Sequence, residues 1–180
     1  APGFSPNGLN FIWIVQYFLE MYFPDKTMPL TNGLPEIYWG PHGVMHIFNY
    51  VFWFIFIALV IFTLLIKHKT PIIILKICII EYTFYFLFKL AVHENLILAM
   101  VLTAILLCLE DTMINRWIFM VYAFITNMNM YLFYGITGIT YFHNLSVANI
   151  PNSVILASAN TVVLLGVNLL LFISILKDQR

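Results

Sequence analysis

Charge is what this 180-residue sequence has least of. Asp, Glu, Lys and Arg make up 9% of it, where a water-soluble domain carries roughly 25%. With 62% hydrophobic residues and a mean hydropathy of +0.94, too little polar surface remains to coat a soluble globule, which leaves an integral membrane protein. A basic excess is missing too. Eight basic and eight acidic residues give a formal charge of +0, so no face exists to neutralise phosphates, and nucleic acid is excluded as a partner. Only two cysteines occur, Cys78 and Cys108, both inside apolar runs. They offer no disulfide framework or Cys-x-x-Cys site and read as small core hydrophobes. There is no internal repeat with a period of roughly 20–50 residues and no low-complexity tail. Ala1-Pro2-Gly3 is not followed by a basic n-region, so no signal peptide is expected at this end.

What the sequence has in abundance is long apolar runs. Crossing about 30 Å of hydrocarbon takes roughly 20 helical residues. The runs predict an all-α, polytopic membrane helix bundle with five spans, at 44–66, 71–92, 95–109, 116–142 and 152–176. Residues 8–23 are apolar but short, and predict either a short span or a helix lying in the interface, with Trp13 and Tyr17 at headgroup depth. Lys67-His68-Lys69-Thr70-Pro71 closes the first long run and opens the next with a proline suited to a first helical turn. If the five runs alternate, Lys67, Lys69, Arg116, Lys177 and Arg180 share one side and only Lys26 and Lys89 the other. The bias predicts a cytoplasmic C-terminus, in a plasma or endoplasmic-reticulum membrane alike. The opposite, extracytoplasmic side receives loop 24–43, which holds four of the eight prolines, and the sequon Asn144-Leu145-Ser146.

Polar residues collect on that outer side. His93-Glu94-Asn95 marks the tip of a tight helical hairpin, His42 and His46 stand at i, i+4 on one helical face, and His143 follows the fourth run. The plain explanation is that polar residues gather where helices leave the bilayer, because water is there. Two functional readings compete with it. His93, Glu94 and the loop carboxylates suit a phosphate-bearing substrate at the interface. Alternatively, His42, His46, His93 and His143 converge on a divalent metal ion, as in a component of a membrane oxidase or respiratory complex. His-x-x-x-His without the glutamate of a metalloprotease helix carries little specificity.

Inside the bilayer, Glu81 stands apart, about ten residues into the second span, where a carboxylate costs a few kcal/mol unless paired or neutral. Lys76 is at i−5, a poor partner, and is expected to reach the cytoplasmic edge. Asn127, Asn129 and Asn160 are the candidate partners of Glu81. Gly135, Gly138 and Gly166 are expected to let helix backbones approach closely, with Ser158 and Ala159.

Three stretches resemble the C-terminal membrane part of the GT-C superfamily of glycosyltransferases, which take sugars from polyprenyl-phosphate carriers. Ser5-Pro6-Asn7-Gly8-Leu9-Asn10-Phe11-Ile12-Trp13 is similar to the segment opening a late outer loop in that family. Val92-His93-Glu94-Asn95-Leu96-Ile97-Leu98 resembles its His-Glu motif, and Thr126-Asn127-Met128-Asn129-Met130-Tyr131-Leu132-Phe133-Tyr134 its Asn- and Tyr-rich helix. Residues 5–23 and Ser158-Ala159-Asn160 show a weaker likeness to the GPI mannosyltransferase and GPI transamidase U-subunit group. The resemblance implies inverting sugar transfer at the luminal or extracytoplasmic face. His93, Glu94 and Asn95 would stand near the carrier phosphate and loop 24–43 over the acceptor or lipid groove. Its implied partners are membrane lipids, a lipid-linked sugar donor and other membrane chains. The family's catalytic acidic residue belongs to an early outer loop, and Glu20, Asp25 and Glu36 do not match that motif. The implied unit is therefore a module without its catalytic half, or a non-catalytic membrane subunit on the same scaffold.

Overall fold

The computed structural model describes residues 8–22, 44–89, 95–110, 112–134 and 145–179, with the backbone alone at 20, 44–46, 95–97 and 134. Among them are six helices: α1 (Phe11–Tyr22), α2 (Val44–Leu65), α3 (Pro71–Phe88), α4 (Asn95–Leu107), α5 (Met113–Tyr134) and α6 (Asn152–Asp178). The only strands among these residues are β1 (Ser146–Val147) and β2 (Ile150–Pro151), a two-stranded antiparallel ribbon ahead of α6. Ala148 and Asn149 both take positive φ at its tip, the twist that a two-residue hairpin requires. The chain is an all-α membrane helix bundle.

Local signals set the helix ends. The Thr70 hydroxyl accepts from the Ile73 amide at 3.3 Å, and Pro71 gives up no needed N–H in the first turn of α3. Asn10 caps α1, its Oδ1 accepting from the Ile12 amide at 3.1 Å, so Gly8–Asn10 stays outside the helix. Thr112 accepts from the Asn115 amide at 3.2 Å, which starts α5 three residues before the expected boundary. Helix α3 stops at Phe88, with Lys89 already extended, four residues short of its expected end.

Three helices are long and apolar enough to cross a membrane: Ile47–Leu65 of α2, α3, and α6. The five expected spans thus reduce to three among the described residues. Helix α4 has 13 residues, about 20 Å of rise against about 30 Å of hydrocarbon. Helix α5 has 22, yet Asn115, Arg116, Thr126, Asn127 and Asn129 dilute its apolar character.

Helix α3 is the hub, packing against α1, α2, α4 and α6, while α4 joins it to α5. Ile73, Ile77, Ile80 and Phe86 of α3 enter one core with Met100, Ala104, Tyr122, Leu164 and Leu171. At its centre the Thr83 hydroxyl directs its proton to the Ile79 carbonyl at 2.7 Å, so the Tyr122 hydroxyl 2.8 Å away donates to Thr83. That bond sets α3 and α5 at a common depth. Lys76, almost wholly buried, donates to Asp178 and Ser174 of α6, each at 2.9 Å, instead of reaching into solvent. One turn further, Gln179 receives the amides of Lys67 and His68 and donates to the His68 carbonyl, all at 3.0 Å. The end of α6 and the 66–70 connection therefore share one end of the bundle. Gly166 has open space where a Cβ would stand, so it mediates no close helix approach. Gly135 and Gly138 lie outside the described residues.

Candidate functional site

The opposite end carries a second set of buried polar contacts among the described residues. Gly8–Asn10 enters the bundle as non-helical chain, and such a backbone in an apolar interior must find partners for its N–H and C=O. Leu9 finds both. Its amide donates to Asn129 Oδ1 of α5 at 2.8 Å, and its carbonyl accepts from Asn160 Nδ2 of α6 at 3.2 Å. Asn10 Nδ2 donates to the Phe86 carbonyl at 2.8 Å, satisfying a free acceptor in the last turn of α3. Leu9, Asn10 and Asn129 are fully buried and Asn160 nearly so. Leu9 and Trp13 then pack on Ala157, flanked by Leu132 and Phe133.

This arrangement corrects the expected partners of Glu81. Asn129 and Asn160 serve Leu9, and exposed Asn127 bonds only within its own helix, to the Ala123 carbonyl at 2.7 Å. The reason is angular. Residues two apart on a helix point about 200° apart, so while Thr83 faces α5, Glu81 faces α2. It lies in a cleft of about 420 Å³ with Phe52, Trp53 and Phe56 on the α2 side and Tyr82 and Tyr85 on its own helix. Lys89 stands at the mouth of the cleft. Its ammonium donates to Asn49 Oδ1 at 2.8 Å and rests 5.3 Å from the Phe52 ring centre and 6.0 Å from that of Trp53. A second trough, about 380 Å³, separates α5 from α6, with Phe124 and Met128 facing Leu156 and Val163, and Asn160 at its polar end.

His93 and Glu94 lie outside the described residues. Asn95 is the first residue of α4, with its side chain undescribed. Of the possible metal set, His42 and His143 are likewise outside, and His46 lies on α2 with its side chain undescribed. Among the described residues no three His, Cys, Asp or Glu side chains cluster as metal ligands. Asp25 and Glu36 are outside as well, as is Asn144 of the sequon, whose Leu145 and Ser146 are exposed ahead of the ribbon.

Several residues with structural roles escaped the sequence reading. Asn10, directly ahead of an apolar run, carried a readable capping signal. Nothing in the sequence marked Gln179 as a clasp, or Asn49 as the seat of Lys89. Asn168 is buried in α6 with neither amide atom hydrogen-bonded among the described residues. Comparison with family models, curated proteins and solved structures finds no match to this chain.

Proposed function

We propose that this chain is the C-terminal membrane module of a glycosyltransferase that uses a polyprenyl-phosphate-linked sugar at the extracytoplasmic or luminal face. One observation carries the reading. The first and third stretches that resemble the GT-C superfamily are more than a hundred residues apart in sequence, yet they are hydrogen-bonded to each other in the bundle. Leu9 and Asn10 of the first bond to Asn129 of the third and to Phe86, six residues before the second begins. Asn160, from the weaker likeness, closes the ring on Leu9. In this reading His93, Glu94 and Asn95 stand near the carrier phosphate, the His93 imidazole and the Asn95 amide donating hydrogen bonds to its oxygens as negative charge develops on the leaving group. The acidic group that takes the acceptor's proton comes from a catalytic half elsewhere. In this reading the end holding Lys67, Lys69 and Lys177 is cytoplasmic, and the reacting face is the opposite one. In the assembled enzyme, His93→Ala and Glu94→Gln reduce sugar transfer while its abundance is unchanged. Full turnover in both variants would remove the phosphate role.

A second reading, a non-catalytic subunit of a larger membrane complex, draws on α2. Only 11% of its spanning window is buried, and Tyr50, Phe54, Leu64 and Leu65 are each at least 70% exposed. Such a surface faces lipid or a neighbouring chain. A subunit co-purifies with other membrane chains at fixed stoichiometry, whereas a monodisperse lone species of this mass contradicts that role.

A further inference from the structure

We infer that the cleft between α2 and α3 binds a membrane lipid with a phosphate headgroup, the phosphate on Lys89 and one apolar chain running between the aromatic walls toward Glu81. The argument begins with depth. Lys89 is the residue at which α3 ceases to be helical, at the end where the chain leaves the bilayer. Glu81 lies eight residues deeper, about 12 Å along the axis and near the middle of the helix. A cation at the boundary above an apolar trough matches an anionic amphiphile standing upright in a leaflet.

The ammonium is also prepared for such a ligand. Asn49 and the faces of Phe52 and Trp53 hold it at the mouth. An ammonium has three donors, and the bond to Asn49 uses one. Among the described residues no carboxylate pairs with it, the one ion pair there being Lys76–Asp178. The volume of about 420 Å³ lies within the roughly 300–1,000 Å³ typical of small-molecule sites. Trp53, on the α2 wall and half exposed, is a built-in reporter of what enters.

The inference does not depend on sugar transfer. The full chain is reconstituted in phosphatidylcholine nanodiscs containing a minor fraction of lipid brominated at mid-chain, either phosphatidylcholine or phosphatidic acid. Brominated phosphatidic acid is expected to quench tryptophan emission with about fivefold preference, the effect of the ~1 kcal/mol that one Lys contributes near a membrane surface. Trp53→Phe removes the selective part, Lys89→Gln levels the two lipids, and Lys89→Arg keeps the preference. Equal quenching by both lipids in the unaltered chain overturns the site, as does a preference that survives Lys89→Gln. Absence of lipid-dependent quenching, the result of another helix covering the cleft, overturns it too. The unaltered chain decides the first point, so a variant that fails to fold does not shelter the inference. Loss of the glycosyltransferase reading with the lipid preference intact would leave this site standing.

Discussion

Replacing Asn129 with Leu isolates the bond that holds the Gly8–Asn10 segment in the bundle. The side chain keeps roughly its shape but loses the oxygen that accepts the Leu9 amide at 2.8 Å. Leu9 is fully buried, so water cannot take over the role. A buried donor left without an acceptor costs about 1–3 kcal/mol. Interhelical bonds measured in membranes sit lower, at roughly 0.6 kcal/mol on average, but there the side chains can find other partners. A backbone amide fixed between α5 and α6 has no such freedom. Asn127→Leu serves as the control, because Asn127 is exposed and bonds only to Ala123 of its own helix. Hydrogen exchange followed by mass spectrometry on the peptide covering residues 8–13 reads the effect locally. Exchange at Leu9 should quicken by about 5- to 150-fold in Asn129→Leu, the equivalent of 1–3 kcal/mol. It should be unchanged in Asn127→Leu. Equal exchange in the two variants, or unaltered protection in Asn129→Leu, refutes the assignment of Asn129 as the anchor of this segment.

Asp178→Ala leaves the Lys76 ammonium buried without its carboxylate and should lower the unfolding free energy in detergent by about 1–3 kcal/mol. That is less than for a fully buried pair, because Asp178 is 43% exposed. Adding Lys76→Met should recover most of the loss, and failure to recover would mean that the pair does not carry the effect. Asn168→Leu should be neutral or raise thermal stability by about 1 kcal/mol, since neither amide atom of Asn168 is bonded among the described residues; a marked loss would reveal a partner for it. Gly8→Ala places a Cβ 2.8 Å from a ring carbon of Phe86, itself fully buried, and should cost about 1–3 kcal/mol. Gly166→Ala meets nothing and should stabilise α6 by about 0.5–1 kcal/mol. Matching thermal shifts for the two glycines would contradict the difference in their surroundings.

Helix positions were readable because apolar length is a bulk property. Thr70-Pro71 fixed the start of α3, and the runs over 44–66 and 152–176 became α2 and α6 within a residue or two. The status of α4 and α5 as spans was less legible. Run length in sequence ignored where the turn residues stop the helix, and it passed over the polar positions of α5. Depth along one helix revealed that Glu81 was unusual but not which way it faced. That direction depends on the packing of α2 against α3, which no spacing within one helix encodes. The asparagines were recognised as interhelical hydrogen-bonding groups, but their partner was a main-chain segment more than a hundred residues away, invisible to side-chain pairing rules. Gln179 illustrates the same limit, because its three bonds are to peptide groups of residues 67 and 68.

Helix α6 follows every other described element in chain order, yet three earlier ones wait on it. The Leu9 carbonyl needs Asn160, Lys76 needs Asp178 and Ser174, and the 67–68 peptide groups need Gln179. A chain stalled before residue 160 therefore leaves the Lys76 ammonium and the Leu9 carbonyl without the partners that α6 supplies.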